Sequence, residues 1–362
     1  MASMWKVRSH LHIGDLLFIV WGVGYFACYV LFSALTKRAT GPGTGLSGPA
    51  ILPVTTLVSL VGAAVFVVAT RWWKSARRFS LGGISLPRPG LWPFLSGLCV
   101  AAIIGTTTLA FSFDGASIVF MMLWMRGGVL VLAPLTNVIT RRRVRRHVWA
   151  SSALSFAAIT LVTVGDTARG LSGWAPVVIA VYVLATFIRP PFMNRMAETE
   201  DPERLRGLVE EQMVATSALF LTLIALAIWG EGPGMHVLRL GFTDTLTSGA
   251  VGGLILIGVC ALGICVFDAL IRREHLLSVS FSGVSAIIAG VVADSARSLF
   301  ADAPPPAGVE LLGAGLVIAA MKVISVPQRV ELDGPAAPTR FAPTIAPEGP
   351  QDASGNGAGG PD

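Results

Sequence analysis

The stretch that decides the fold lies at residues 116–138 and reads ASIVFMMLWMRGGVLVLAPLTNV. It exceeds the roughly 20 residues that a helix needs to cross the hydrocarbon core of a bilayer. Its single charged residue, Arg126, lies at its middle, and it offers no continuous polar face to water. A surface helix of a soluble protein would have such a face. The stretch therefore predicts a membrane-spanning helix.

The composition of the whole chain agrees with this prediction. Of its 362 residues, 53% are apolar and 13% are charged, whereas soluble domains average about 45–50% and about 25%. This composition excludes a soluble enzyme, and it excludes a nucleic-acid-binding protein despite the net charge of +6. The four cysteines lie in apolar runs without metal-binding spacing, so neither a disulfide framework nor a zinc site is predicted.

Nine further stretches have the length and hydropathy of membrane helices. In chain order, the ten predicted spans are 13–35, 50–70, 92–111, 116–138, 148–165, 173–193, 212–229, 248–271, 277–294 and 306–326. We therefore predict an all-α membrane protein with ten transmembrane helices. Residues 327–362 are rich in Pro, Ala and Gly, and such a composition predicts a disordered tail.

The basic residues orient the predicted spans, because loops rich in Lys and Arg stay in the cytoplasm. With residues 1–12 inside, 20 of the 27 Lys and Arg residues lie on the cytoplasmic side, five lie outside, and Arg126 and Arg189 lie within spans. We therefore predict that the N-terminal segment and the tail are both cytoplasmic. We predict an integral, multi-pass protein of the bacterial inner (plasma) membrane.

The spacing of aromatic residues indicates an internal duplication. Trp21 is followed, after seven residues, by Tyr29-Val30-Leu31, and Trp174 is followed at the same spacing by Tyr182-Val183-Leu184. Because each half would hold five spans, the second copy would be inserted upside down, as in many secondary transporters. The predicted domains are a first five-helix repeat at 13–165, an external connector at 166–172 and a second, inverted repeat at 173–326.

Four short motifs accompany the ten spans: Trp21-Gly22, Phe113-Asp114-Gly115, Ala133-Pro134-Leu135 and Leu161-Val162-Thr163-Val164-Gly165. With them, residues 13–326 resemble the drug/metabolite transporter superfamily, in its ten-helix, EamA-like form with two repeats. The resemblance implies export or exchange of amino acids, sugar phosphates, nucleotide sugars or related metabolites. The chain has no phosphate-binding loop and no nucleophile elbow, so we expect neither an enzyme nor an ATP-driven pump, and no cofactor.

Arg126 is the predicted centre of a substrate site. It lies about 15 Å from either end of its span, and a charge at the bilayer centre costs at least about 2.5–3.5 kcal/mol. We place only three carboxylates in or beside spans, Asp15, Asp268 and Asp294, all near span ends, and we expect no glutamate within any span. An anionic substrate would supply the missing negative charge. The alternatives are hydrogen bonds to carbonyls or hydroxyls of the bundle, or a kink that brings an aspartate closer.

Other polar residues within the spans are further candidates for substrate contacts. A buried phenol needs a hydrogen-bond partner, so each tyrosine can line a cavity or join two helices. The serines of span nine can likewise bind substrate or permit close helix packing. The candidates are Tyr25, Tyr29, Tyr182, Ser278, Ser282 and Ser285. Arg189 precedes Pro190-Pro191, and snorkelling and helix termination are its predicted roles.

The leading hypothesis is a secondary transporter or exchanger of a small, anionic metabolite that works by alternating access. Its partners would be that metabolite and the membrane lipids, with no nucleic acid. The first alternative is an intramembrane protein that handles lipid phosphates, as a flippase or an enzyme, with Arg126 on the phosphate. The second is a non-transporting subunit of a membrane assembly. Coupling to protons through a carboxylate in the middle of the membrane is not expected, because the spans show no such acid.

Overall fold

The computed structural model describes most of the ten predicted spans and several of the segments between them. The described residues are 13–41, 46–74, 78–81, 84–87, 89–113, 115–139, 146–165, 173–197, 201–245, 249–274, 278–300 and 303–325. The predicted N-terminal segment 1–12, the connector 166–172 and the tail 327–362 lie outside these ranges.

Across the described ranges the chain forms thirteen α-helices and one short antiparallel hairpin, β1 (Arg78–Leu81) with β2 (Ile84–Pro87). The helices are α1 (Ile13–Ala39), α2 (Gly48–Ala69), α3 (Leu91–Ser112), α4 (Ile118–Met122), α5 (Gly128–Val131), α6 (Ala133–Ile139), α7 (Arg146–Gly165), α8 (Ala175–Ala197), α9 (Asp201–Trp229), α10 (Pro233–Thr243), α11 (Val251–Glu274), α12 (Ser278–Phe300) and α13 (Gly308–Ser325). Ten segments of this helical structure are long and apolar enough to cross a membrane. The predicted all-α fold with ten transmembrane helices is confirmed.

Three elements between the spans were not predicted from hydropathy. The hairpin and α10 each connect spans, and α9 begins at Asp201, ahead of the apolar run. The described residues of the acidic stretch 194–211, namely 194–197 and 201–211, are therefore helical. Hydropathy marks only the part of a helix that can lie in hydrocarbon, so polar extensions of a helix escape it.

The fourth span is irregular along its length. Ser117 precedes α4, and its hydroxyl accepts a hydrogen bond from the Phe120 N–H at 2.9 Å. After α4 the chain makes a π-helical turn, Leu123–Gly127, and continues as α5. Leu132 then interrupts the helix before α6, in which Pro134 lacks the N–H that a continuous helix would use. Arg126 thus lies on a π turn at mid-span.

The packing of the spans places α1, α3, α8 and α11 around the centre of the bundle. α1 packs against α11 and α12, α3 packs against α8 and α9, and α2 packs against α9 and α11. α7 packs against α13, and α4 packs against α12. Large aromatic and methionine side chains fill the core beside α1, including Phe32, Phe111, Met121 and Met122.

Hydroxyl side chains inside the bundle mostly bond to the backbone of their own helix. Ser33 Oγ donates to the Tyr29 carbonyl at 2.8 Å, and Thr55 Oγ1 donates to the Ile51 carbonyl at 2.9 Å. Ser59 Oγ donates to the Thr55 carbonyl and also, at 2.9 Å, to the Gly258 carbonyl of α11. These bonds satisfy polar groups where no water is present, and the last one joins α2 to α11.

The contact between α2 and α11 depends on the absence of a side chain at Gly258. A Cβ there would lie 2.7 Å from the Val58 Cβ and 2.8 Å from the Thr55 carbonyl oxygen. We expect Gly258→Leu to lower the free energy of unfolding by at least about 1–3 kcal/mol, which is the usual cost of overpacking. Heating the detergent-purified protein and measuring the remaining monodisperse fraction gives the melting temperature. Gly253→Leu, on the same helix with nothing within 4 Å, is the control, and equal losses in both variants would contradict the prediction.

Candidate functional site

A cavity of about 320 Å³ lies between the central helices. This volume is at the small end of the range of ligand pockets, roughly 300–1,000 Å³, so it suits a small metabolite. Side chains from α1, α3, α8, α9, α11 and α12 line it together with the π turn of the fourth span, and most of its surface is apolar. The polar and titratable residues that line it are Tyr25, Tyr29, Thr107, Arg126, Tyr182, Thr186, Arg189, Asn194, Gln212, Cys265, Asp268 and Ser282.

Arg126 lines this cavity, and all three tyrosines lie around its guanidinium. Its Cζ lies 5.9 Å from the centroid of the Tyr182 ring, a cation–π distance. Tyr29 is its side-chain hydrogen-bond partner, and Tyr25 lies within electrostatic range. The Nε atom is buried without a hydrogen-bond partner. Within the described part of the chain, no carboxylate forms an ion pair with Arg126.

An aromatic wall supports the tyrosines on the α1 side. The Tyr25 and Tyr29 ring centroids are 5.6 Å apart, and the Tyr29 ring meets the rings of Phe32 and Phe111 edge-on at 6.4 Å each. Edge-to-face contacts of this kind add to the stability that burial provides. The phenols that face Arg126 are therefore held in place before any ligand arrives.

Arg189 also lines the cavity, and our prediction for it is wrong. α8 continues through Pro190-Pro191 to Ala197, so the arginine does not lie at a helix end. Its Nε and Nη2 donate to Oε1 of Glu211 on α9 at 3.0 and 2.6 Å. Ser96 of α3 donates to the same oxygen at 2.6 Å. Arg189 is thus one member of a buried ion pair that joins three helices.

The expectation that the spans contain no glutamate is also wrong. The seventh membrane-spanning segment, Arg206–Trp229, contains Glu210 and Glu211, and the tenth, Gly308–Ser325, contains Glu310. Glu310 lies inside the tenth span that we predicted, and the other two lie just before the seventh. Glu210 Oε2 accepts a hydrogen bond from the Gly90 N–H at 2.8 Å. Each of these buried carboxylates therefore has a bonded partner, as burial of a charge requires.

The sequence candidates divide into three groups in the structure. The cavity brings together five of the seven: Arg126, Tyr25, Tyr29, Tyr182 and Ser282. Ser285 is buried on α12 away from the cavity lining. Ser278 begins α12, but its side chain lies outside the described residues. Whether the five bind a substrate stays a prediction.

Several residues of the cavity were not predicted as parts of a site. Arg189 and Asp268 line it, and Glu211 lies directly behind Arg189. The sequence does carry one signal for the pair. Arg189 lies a few positions inside one span, and two adjacent glutamates, Glu210 and Glu211, stand at the start of the next. This order indicates that the charges can meet across a short connection.

Polar contacts join α12 and α13 to the start of α4. The Val119 N–H donates to Asp294 Oδ2 at 3.0 Å, and Arg297 Nη1 donates to Asp294 Oδ1 at 3.2 Å. Ser117 Oγ is hydrogen-bonded to Glu310. Carboxylates are favourable at a helix N-terminus because of its partial positive charge. These contacts fasten α12 and α13 to the fourth span.

The residues that line the cavity extend towards one end of the bundle in the described part of the chain. Its lining includes the exposed Asn194 near the end of α8, on the side predicted to be cytoplasmic. No described residue at the start of α4 lines it, and the side chains of Phe111, Ile118 and Met122 are fully buried there. The described lining of the cavity therefore extends towards the side predicted to be cytoplasmic.

Comparisons with known proteins bear on the fold alone. No family model matches the chain, and no curated protein sequence matches it. Among solved structures, one described only as the crystal structure of a protein has a TM-score of 0.52 and is 14% identical. The match covers 85% of this chain and 96% of the other. The likeness shows a shared fold, and the ten apolar helices show an integral, multi-pass membrane protein.

Proposed function

We propose that this protein is a secondary transporter or exchanger of a small anionic metabolite, of the kind found in the drug/metabolite transporter superfamily. The observation that carries the proposal is Arg126. It lies at mid-span on the wall of a cavity, surrounded by three phenols, and the described residues give it no carboxylate. A carboxylate or phosphate in the cavity would complete this site, because the guanidinium fork binds such groups in a bidentate geometry.

The packing of the helices supports an inverted repeat. If spans one to five correspond to spans six to ten, the contact of α1 with α11 corresponds to that of α8 with α3, and both are extensive. The contact of α3 with α9 corresponds in the same way to that of α11 with α2. The contact of α7 with α13 corresponds to itself, and so does the contact of α4 with α12. Swapping spans one to five with spans six to ten therefore maps the main helix contacts of the bundle onto one another.

Such a repeat provides a route to alternating access. When two halves of opposite orientation exchange conformations, a cavity that is open to one side becomes open to the other. The cavity lining of the present structure includes the exposed Asn194, and Asp294 is not among the lining residues. With the termini in the cytoplasm, this conformation is inward-facing. The proposed substrate contacts are Arg126, Tyr25, Tyr29, Tyr182 and Ser282.

Ligand binding and transport test the proposal together. We expect succinate, malate, glutamate or glucose 6-phosphate to raise the melting temperature of the detergent-purified protein, because a ligand at about 100 times its Kd stabilises the folded state by about 2.7 kcal/mol. Neutral succinamide and glucose are the matched controls for succinate and glucose 6-phosphate. The anion that binds should then exchange across liposome membranes that contain the protein.

The result that would contradict the proposal is equal stabilisation by the neutral and the charged member of a pair. Binding of an anion without exchange, together with movement of a labelled phospholipid between leaflets, would instead support a protein that handles lipid phosphates. Binding with neither activity would support the non-transporting subunit.

A further inference from the structure

We infer that Thr186 selects for a hydroxyl group on the transported anion, so that the preferred substrates are hydroxycarboxylates or phosphate esters with a free hydroxyl. The inference rests on the proposed transport function and specifies its substrate class. The site consists of the hydroxyl and the main-chain carbonyl of Thr186, a residue that lines the cavity one helical turn from Tyr182.

The Thr186 hydroxyl differs from that of Thr107, which lines the same cavity. Thr107 Oγ1 donates to the Ile103 carbonyl of its own helix at 2.6 Å. Thr186 Oγ1 is buried and has no hydrogen-bond partner in the part of the chain that the structure describes. Buried polar atoms without a partner are rare, and a threonine in a helix can adopt two χ1 rotamers. The Thr186 hydroxyl can therefore turn to a ligand without giving up a contact within the protein.

The Thr186 carbonyl lacks its usual helical donor. In an α-helix each carbonyl accepts from the N–H four residues later, but proline has no N–H. Because α8 continues through Pro190-Pro191, the carbonyls of Thr186 and Phe187 both lose this donor. Thr186 and Pro190 line the cavity, and neither Phe187 nor Pro191 is among its described lining residues. Of the two carbonyls, that of Thr186 is thus the one on the cavity side.

A hydroxyl group on the ligand matches these two oxygen atoms. A carbonyl can only accept a hydrogen bond, whereas a threonine hydroxyl can donate and accept. A ligand hydroxyl can therefore donate to the Thr186 carbonyl and accept from Thr186 Oγ1. A methylene group bonds to neither atom, a carboxylate cannot donate to the carbonyl, and an ammonium group cannot accept from the hydroxyl.

The position of Thr186 allows one small ligand to contact both it and Arg126. Arg126 Cζ lies 5.9 Å from the centroid of the Tyr182 ring, and Tyr182 is one turn, about 6 Å along the axis, from Thr186. Arg189, which is paired with Glu211, lies further along the same face of α8. A ligand whose acidic group binds Arg126 can therefore extend along this face to Thr186 before it reaches the ion pair.

Two pairs of anions that differ only in hydroxyl groups test the inference in the wild-type protein. Malate is succinate with a hydroxyl added, and glycerol 3-phosphate is propyl phosphate with two hydroxyls added. In whichever pair binds, calorimetric titration of the detergent-purified protein should give the hydroxylated anion a dissociation constant lower by about tenfold or more, because its analogue leaves polar groups of the site unpaired. Equal dissociation constants within that pair would overturn the inference and leave the proposed transport function intact.

Aspartate extends the carboxylate series, because it has an ammonium group where malate has its hydroxyl. Tighter binding of aspartate than of malate would overturn the selection for a hydroxyl. If none of these compounds binds, the inference is wrong. The proposed function then fails with it only if glutamate and glucose 6-phosphate do not bind either.

Substitution of Thr186 identifies the hydroxyl that reads the ligand. Thr186→Val keeps the β-branched shape and breaks no hydrogen bond of the described structure, so the variant should fold. It should bind the hydroxyl-free anion as the wild type does and lose most of the preference for the hydroxylated one. Thr107→Val is the matched control, because the Thr107 hydroxyl is bonded to its own helix, and it should keep the preference. A folded Thr186→Val protein with the wild-type preference would overturn the inference.

Substitution of the two prolines tests the part that the carbonyl plays. Pro190→Ala supplies an N–H that can bond to the Thr186 carbonyl, so the preference for the hydroxylated anion should fall. Pro191→Ala supplies the same group to the Phe187 carbonyl and is the matched control, which should keep the preference. Equal preferences in the two folded variants would contradict the inference. If either variant does not fold, the wild-type comparison and Thr186→Val decide.

Discussion

Arg126→Ala is expected to reduce anion exchange to the level of protein-free liposomes while the melting temperature of the empty protein stays at or above its wild-type value. In the described structure the guanidinium contacts phenols and no carboxylate, so its removal leaves no buried countercharge behind. Removal also relieves the cost of a cation at the bilayer centre, at least about 2.5 kcal/mol. Exchange and melting temperature are measured on the same preparation.

Arg126→Lys serves as the matched variant for this prediction. It keeps the positive charge but loses the planar fork and its bidentate geometry, so we expect partial exchange activity and weaker anion binding. The contrary outcome is that Arg126→Ala lowers stability by several kcal/mol, as the loss of one member of a buried pair does. That result, or a stable Arg126→Ala protein with full exchange, would end the anion-site hypothesis.

Arg189→Ala is expected to have the largest effect on stability. It removes the cation from Glu211, whose side chain is 1% exposed and also bonded to Ser96. Breaking a buried pair from one side costs about 3–5 kcal/mol because the remaining charge loses the countercharge bonded to it. The melting temperature in detergent should fall steeply, and part of the protein should aggregate during purification.

A double variant separates lost charge from lost packing. Arg189→Met with Glu211→Leu removes both charges and keeps apolar volume, and replacements of this kind are often neutral or stabilising. We expect this protein to melt well above Arg189→Ala. Arg195→Ala is the control on the same helix, because Arg195 is exposed and packs over the Trp92 ring at 5.8 Å, so its loss should change the melting temperature little. Equal melting of Arg189→Ala and the wild type would show that the pair contributes nothing to the fold.

The spans could be predicted because the requirement for crossing a bilayer is local in sequence. Each helix must satisfy its own backbone and present about 20 apolar residues, and the structure has ten segments that do so. The short helix α10 and the β1–β2 hairpin could not be found in this way. They lie between spans, where water can satisfy the backbone and hydropathy carries little information.

Only part of the candidate site could be predicted for a similar reason. Arg126 stands out in the sequence because a single charge in an apolar run is conspicuous at once. The pairing of Arg189 with Glu211 depends on how α8 and α9 pack together with α3, and no single stretch of sequence records that arrangement. The prolines after Arg189 made helix termination the simpler interpretation, yet α8 continues past them.

The π turn at Leu123–Gly127 has a consequence for comparing sequences. A π turn closes with i→i+5 hydrogen bonds and so holds about one residue more than an α-helical turn. Deleting one residue there would let the fourth span become a regular helix whose two flanks keep their places, while the residues of the turn itself, Arg126 among them, would change position. Alignments of related chains that allow no gap within this span will therefore pair Arg126 with the wrong position. A conserved arginine can be recognised only if a single-residue insertion is permitted beside it.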